Sequence, residues 1–404
     1  MSAPRLDDYA AIVGSERIAV LRRHARRLEG LRVAVVNSTR VGGGVAEMLA
    51  RHVPLFNELG LRVRWEVIEG TPQFFEATKT MHNGLQGAPR ELTPPLREAY
   101  LEANRRSADR LDLDADVVVI HDPQPAALIE FATKTCPWIW RCHIDAARPN
   151  RGVWRFLRAF VSKYDASVFS MPAFAQNLPH PQYLIAPSID PLAPKNQDMD
   201  DVEVNAILAR FGLDRSRPLV VQVSRFDRFK DPVGVVRAFR MVRRRDDCRL
   251  ILVGGSADDD PEGAQVLREV HDEAGNDPDI TILSIPPDSD REINALQRAA
   301  TVIVQKSTKE GFGLTVTEGL WKARPVIGGA AGGIKVQVYD HRTGFLVHSV
   351  EGLAYRLRYL LNRPGLADEM GRRGRELVRH HFLLTRDLRD WLTLFLEVTG
   401  RAVA

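Results

Sequence analysis

The run EGFGLTVTE sets two carboxylates, Glu310 and Glu318, at the ends of a glycine-broken apolar stretch. Gly311 and Gly313 let the backbone turn closely, after which LTVTEGLWKA starts a helix. The amides of Gly313, Leu314 and Thr315 would then form a helix N-terminus open to phosphate. Glu310 would project beside that anion, and Glu318, about one turn into the helix, on its far side. A carboxylate only accepts hydrogen bonds, so each suits a vicinal diol with its two O–H donors. Upstream, QVSRFDRFKD places Arg225 and Lys230 across a turn. They read as two fixed cations aimed at one spot, a planar fork and a point charge that fit a diphosphate; two solvated cations is the alternative. Diol, diphosphate and second diol together describe a nucleotide sugar: hexose, pyrophosphate, ribose.

The first half carries less charge, and its candidate residues are gathered at three strand ends. STRVGGGVAEMLA puts Gly42, Gly43 and Gly44 where a strand gives way to a helix. Bare amides there can meet an anion or a sugar oxygen, although a tight turn alone could also need them. The spacing is not the G-x-G-x-x-G of a dinucleotide fold. In VVVIHDPQPAAL, His121, Asp122 and Gln124 stand at a strand mouth ahead of a helix. Asp122 either caps that helix, with Pro123 at its first position, or binds a hydroxyl. WIWRCHID places His143, with Asp145 close behind, at another strand mouth, where a structural and a cleft role weigh equally. GGAAGGIKVQV (328–338) either lines a sugar pocket or is a close-packed turn. The D-x-D spacings in DLDAD (112–116) and DSD (288–290) read as turns or caps before regular elements rather than as metal sites.

These residues need strands and helices to hold them. Short β-branched runs alternate with amphipathic segments of helix length: VAVVN, RVRWEVI, VVVIH, WIWRC, ASVFS and YLIAP, then PLVVQVS, RLILVGG, ITILS, TVIVQ, RPVIGG and GFLV. This alternation means α/β, with two doubly wound parallel sheets. APSIDPLAPKNQ (186–197), rich in proline, reads as the linker. The domains are then 1–190 and 198–384, and a final amphipathic helix within 385–404 could pack back on the first. Two such domains are expected to face a cleft at the carboxyl edges of their strands, where open α/β sheets bind ligands.

The chain has 404 residues, enough for two sizeable cores, and a net charge of +4 spread thinly over 56 basic and 52 acidic residues. No basic–aromatic stripe argues for nucleic acid. No apolar run reaches membrane-spanning length, and no hydrophobic signal core opens the chain. Three cysteines without ligand spacing fit a reducing compartment, so a cytoplasmic location is expected.

The Gly-rich loop, RCH, SRFDxxK and E-x7-E together resemble the retaining nucleotide-sugar glycosyltransferases of the GT-B fold, family four. NSTRVGGGVAEML, EGTPQFFEATKTMHNGLQG, HDPQPAALIEF, PWIWRCHID, EGFGLTVTEGLWK and GGIKVQV are similar to the trehalose glycosyltransferring synthases, from Leu6 to the last helix. The resemblance implies glucosyl transfer from a nucleoside-diphosphate glucose to free glucose, giving α,α-trehalose. It assigns Arg225 and Lys230 to the diphosphate, Glu310 to donor hydroxyls, Glu318 to ribose and the Gly313–Thr315 amides to phosphate. His143 goes to the transferred sugar near the acceptor, and Gly43 and Gly44 adjoin donor phosphate or acceptor. Glu47, Asp122 and Gln124 are acceptor candidates. Ser284 and Ile285 fall with the donor, in the segment 283–292 where such folds hold the nucleobase. The resemblance further implies same-face attack without a covalent intermediate, no metal and no cofactor, small-molecule partners only, and leaves room for a homodimer. Rival readings are a trehalose phosphorylase, a transferase with another acceptor, and a non-catalytic nucleotide-sugar sensor.

Overall fold

The computed structural model describes residues 4–41, 43–255 and 261–401. The chain forms two compact units: Met1–Ser188 with Leu384–Ala404, and Ile189–Leu383.

In the first unit six parallel strands run β1 (Arg32–Asn37), β2 (Arg62–Val67), β3 (Val117–His121), β4 (Trp138–Cys142), β5 (Ala166–Phe169) and β6 (Gln182–Leu184). Their order across the sheet is β2-β1-β3-β4-β5-β6. Every residue of β3, β4 and β5 is buried. That explains why VVVIH and WIWRC show no polar alternation: helices cover both faces of a parallel sheet. The expected strand YLIAP is shorter, ending at Leu184 ahead of Pro187. The amphipathic N-terminal segment is three short helical pieces, Leu6–Tyr9, Ala10–Val13 and Ser15–Arg26, the last two parted at Gly14 with φ 90°.

The second unit repeats the plan with β7 (Leu219–Val223), β8 (Arg249–Gly255), β9 (Ile280–Ile285), β10 (Val302–Gln305), β11 (Val326–Gly329) and β12 (Gly344–Val347). The order is β12-β11-β10-β7-β8-β9, all parallel. Val220, Phe239, Leu250, Val304, Ile327 and Phe345 lie in its core. Each sheet reverses its winding once, between β1 and β3 and between β7 and β10. The carboxyl ends of those strands are where a doubly wound sheet opens a crevice.

The proline-rich segment is anchored from Ile189 onward. Asn294 Nδ2 donates to the carbonyls of Pro194 (2.9 Å) and Gln197 (2.8 Å), and Trp321 Nε1 donates to that of Asn196 (3.1 Å). The helix Leu384–Val398 belongs to the first unit, where Arg386 donates to the Ala186 carbonyl at 2.7 Å. The DLDAD acids meet arginines of the neighbouring strands: Arg32 pairs with Asp114 and Asp116, and Arg64 with Asp112. Asp290 begins the helix Asp290–Ala299. Among the described residues no His, Cys, Asp or Glu cluster could hold a metal ion, and no helix is long and apolar enough to cross a membrane.

Candidate active site

Beyond β7 the chain makes a short 3-10 turn, Arg228–Lys230, capped by Asp227, whose side chain accepts the Lys230 amide at 3.1 Å. Gln222, itself buried in β7, donates to the Lys230 carbonyl at 3.0 Å. So held, Lys230 places Nζ 2.5 Å from Glu310 Oε2, and Ser307 Oγ donates to the same oxygen at 3.0 Å. The two strands that bring Lys230 and Glu310 together, β7 and β10, are those flanking the winding reversal. Asp231, at φ 47°, caps the next helix through the Gly234 amide and is ion-paired to Lys306.

The expectation of two fixed cations is corrected here. Arg225 is 76% exposed and its partner is Asp227, at 3.2 Å; it makes no bond to Lys230 or Glu310. The turn that fixes Lys230 begins after Arg225, and among the described residues the guanidinium's hydrogen-bonded partner is Asp227.

The helix Leu314–Trp321 starts at Gly313, φ 84°, with no side chain capping it. The amides of Gly313, Leu314 and Thr315 thus keep their place at an uncapped helix start, where the dipole favours an anion. Glu310 is held in the loop just before. A bed of small residues lies beneath it. A Cβ on Gly332, φ 44°, would come within 1.5 Å of the Glu310 carbonyl, and one on Gly333 within 2.5 Å of Phe312. GGAAGG is therefore a close-packed turn that seats the EGF backbone. Gln337 locks the arrangement: fully buried, it donates to the Phe312 carbonyl at 2.6 Å and accepts from Thr317 Oγ1 at 2.5 Å.

Glu318 sits deeper in the same helix. Only 5% exposed, it accepts from Gln297 Nε2 at 3.2 Å, with Lys195 Nζ at 4.0 Å. Behind it burial pushes the Lys322 ammonium down to about 7, with the Glu318 charge pulling the other way. Ser284 is exposed and Ile285 buried at the end of β9.

In the first unit Gly43, φ 83°, precedes the helix Gly44–Glu58, and a Cβ there would meet nothing within 4 Å. Backbone conformation rather than crowding demands that glycine. Gly44 and Glu47 are exposed in the first turn of this helix, while Gly42 lies outside the described residues.

Asp122 is not a helix cap. At φ 63° it turns back, and Oδ1 accepts the His143 amide at 2.8 Å. The expected helix after HDPQ is a 3-10 turn, Ala126–Glu130, without a side-chain cap. Burial raises the Asp122 carboxyl to about 6, against the pull of the His143 amide and Arg141. Gln124 keeps a buried Oε1 without a hydrogen-bond partner, while its carbonyl accepts from Asn104 at 3.1 Å. His143 and His121 meet side chain to side chain, Nε2 to Nδ1, at 2.9 Å. Asp145 closes a local turn on the Ala147 amide.

Charged groups behind this edge escaped the sequence reading. Arg141 is 2% exposed, with Nε and Nη1 lacking hydrogen-bond partners; burial lowers its guanidinium to about 10. Asp387, from the last helix, accepts from Ser188 Oγ at 2.9 Å, and His52 Nε2 approaches it to 3.2 Å. Burial alone would raise the Asp387 carboxyl, but His52, Arg386 and Arg141 outweigh it and hold it at about 2. His52 and Asp387 are far apart in sequence, and only the outward alternation of one amphipathic helix hinted that Asp387 faces inward.

Comparison with known proteins matches two family models to the chain. Residues 35–176 match a family model described as trehalose synthase, N-terminal domain, and residues 204–377 one described as glycosyl transferases group 1. The trehalose synthase of Pyrococcus horikoshii is 44% identical over 402 residues, covering 98% of this chain and 97% of the relative. That of Rubrobacter xylanophilus is 44% identical over 405 residues, with 98% and 97% covered. Trehalose phosphorylase of Pleurotus pulmonarius is 28% identical and is matched over 54% of its own length. Among solved structures, the sucrose-phosphate synthase of Thermosynechococcus elongatus has a TM-score of 0.72 at 18% identity, covering 92% of this chain and 99% of that one. An α,α-trehalose-phosphate synthase of Burkholderia xenovorans, with glucose-6-phosphate, has 0.73 at 14%, covering 92% and 100%. These likenesses show the GT-B fold.

Proposed function

Because the chain belongs to the trehalose synthase family, we propose that it transfers glucose from a nucleoside-diphosphate glucose to free glucose, forming α,α-trehalose and the nucleoside diphosphate. One observation carries the reading: Lys230 and Glu310, locked together beside an uncapped helix start, at the carboxyl ends of the strands where the second sheet reverses. The ammonium and the amides are donors for a diphosphate, and the carboxylate is an acceptor for sugar hydroxyls. Lys230 has in the free protein a carboxylate partner, of the sign it would meet in the diphosphate.

In the proposed reaction the anomeric hydroxyl oxygen of the acceptor bonds to C1 of the donor glucose while the C1–O bond to phosphate breaks. The hydroxyl proton passes to the departing phosphate oxygen, on the same face, so the α configuration is retained. Lys230 and the Gly313–Thr315 amides stabilise the charge growing on that oxygen, a contribution of about 3–4 kcal/mol per well-placed donor. Arg225, free to swing, closes on the diphosphate once it is bound. Glu318 takes the ribose diol, and Ser284 and Ile285 border the base. His143, Asp122 and Gln124 serve sugar hydroxyls with neutral or weakly charged atoms. We infer no resident metal or cofactor, since cationic side chains and amides already meet the diphosphate.

Incubation with UDP-, ADP- or GDP-glucose plus glucose should yield a non-reducing disaccharide. No product with any of the three would sink the proposal. Glucose 1-phosphate from trehalose and inorganic phosphate, with no nucleotide, would point instead to a phosphorylase.

A further inference from the structure

His121 ends β3, and His143 stands just past β4, the adjacent parallel strand. Their rings lie nearly parallel, 12° apart, with centroids 5.2 Å apart and His121 Nδ1 2.9 Å from His143 Nε2. His121 is 2% exposed, whereas His143 is partly open. Asp122 Oδ1 holds the His143 amide at 2.8 Å, and the Trp391 ring packs 6.3 Å from that of His121. Main chain and ring of His143 are thus both gripped, by consecutive residues.

Burial, and next the Arg141 charge, push both imidazoles down, His121 to about 3 and His143 well below its ordinary value. Between two neutral rings one nitrogen must donate and the other accept. The Nε2 of His143 is committed to this bond. Its Nδ1 hydrogen-bonds to no protein group among the described residues.

We propose that His121 is a positioning residue: it fixes the ring plane and the tautomer of His143, so that Nδ1 is the atom offered to a sugar hydroxyl. The proposal rests on the reading that His143 faces the transferred sugar, and it adds a residue that does not itself touch substrate. A second imidazole does here what a carboxylate or carbonyl does behind many functional histidines, without adding charge.

Two substitutions separate this role from simple packing. His121→Asn keeps a polar atom near the position of Nδ1, and His121→Leu keeps volume without it. The Leu variant should lose about 10–100-fold in kcat, the scale on which ring-orienting partners act, with KM for the donor unchanged. The Asn variant should recover most of that loss. If packing were the role, Leu would do as well as Asn or better, and that ranking overturns the proposal. Nitrogen-15 NMR of the wild-type His143 ring should show a single tautomer; a mixture overturns it independently of any variant's stability. His143→Ala with full turnover would remove the underlying reading and this role with it. An inactive His143→Ala beside a fully active His121→Leu would remove this role alone.

Discussion

The two sheet edges solve opposite problems with the same topology. At the edge of the first sheet stand two neutral imidazoles, the buried His121 and the partly open His143, and charge is kept behind them: Arg141 and Asp387 are buried and share no direct bond. At the edge of the second, opposite charges stand in front and touch, Lys230 on Glu310 and Lys306 on Asp231. Neutral donors and acceptors suit uncharged sugar hydroxyls, since nothing strongly hydrated must be stripped when they bind. Paired charges suit a diphosphate, because a cation already desolvated and aimed loses little on exchanging one anion for another. The contrast predicts that charge removal damages stability at the first edge and chemistry at the second.

The largest effect is expected from Asp387→Ala. Removing it leaves His52 buried without its 3.2 Å partner and takes away the negative charge that offsets nearby Arg141, at a cost of about 3–5 kcal/mol, read from urea unfolding. The wild type should show the acid counterpart. The carboxyl is held at about 2, below its ordinary 3.8, so its contribution is complete above the unfolded value and lost as pH falls through the folded one. About 2 kcal/mol of stability should disappear between roughly pH 4 and 2, and Asp387→Asn should flatten that limb. Equal acid sensitivity in both proteins would erase the contrast.

Next comes Lys230→Ala. Its partner Glu310 keeps the hydrogen bond from Ser307, so unfolding should change less than for Asp387→Ala. Turnover should fall by about 10²–10³-fold, as for loss of one preorganised donor. A Lys230 variant that unfolds readily but turns over normally when folded would invert the comparison.

Gln337→Leu tests the layer beneath. It strips the Phe312 carbonyl and Thr317 of buried partners, at about 1–3 kcal/mol, and should loosen the loop that carries Glu310. The expected signature is a lower melting temperature together with a higher KM for the donor. A change in melting temperature alone would separate the loop from the site.

The alternation of apolar runs was enough to read both sheets, because strands covered on both faces are mostly apolar and carry only isolated polar residues such as Arg141 and Gln222. The loops that hold Lys230 and Glu310 were readable for a different reason: glycine, lysine and acid cluster within a few residues of a strand end. What could not be read depends on distant pairings. Gln222, Gln337 and Asp387 each look like an ordinary polar residue in a regular element, and only folding shows that they are buried and bonded. Asp122 misled because Asp before Pro is a common helix start, yet its left-handed backbone sends the carboxylate to His143 instead. Arg225 misled in the opposite way. Spacing gives proximity along the chain, whereas rigidity comes from hydrogen bonds such as the Asp227 cap, which begins after Arg225.

Arg225→Ala should therefore have the smallest effect on the free protein and a clear one only on the complex. Its ion pair with Asp227 is solvated, and such pairs contribute about 0–1 kcal/mol, so the melting temperature should not move. If the guanidinium folds onto a bound diphosphate, the donor should nevertheless bind more weakly, by about tenfold for the 1.5–3 kcal/mol of a charged hydrogen bond partly offset by ordering a free side chain. That weakening should fade at high salt, where an exposed cation is screened, while the loss in Lys230→Ala should not. An Arg225→Ala protein with undiminished donor affinity at low salt would leave Lys230 and the helix start as the whole anion site, and the second edge would then be more rigid than proposed.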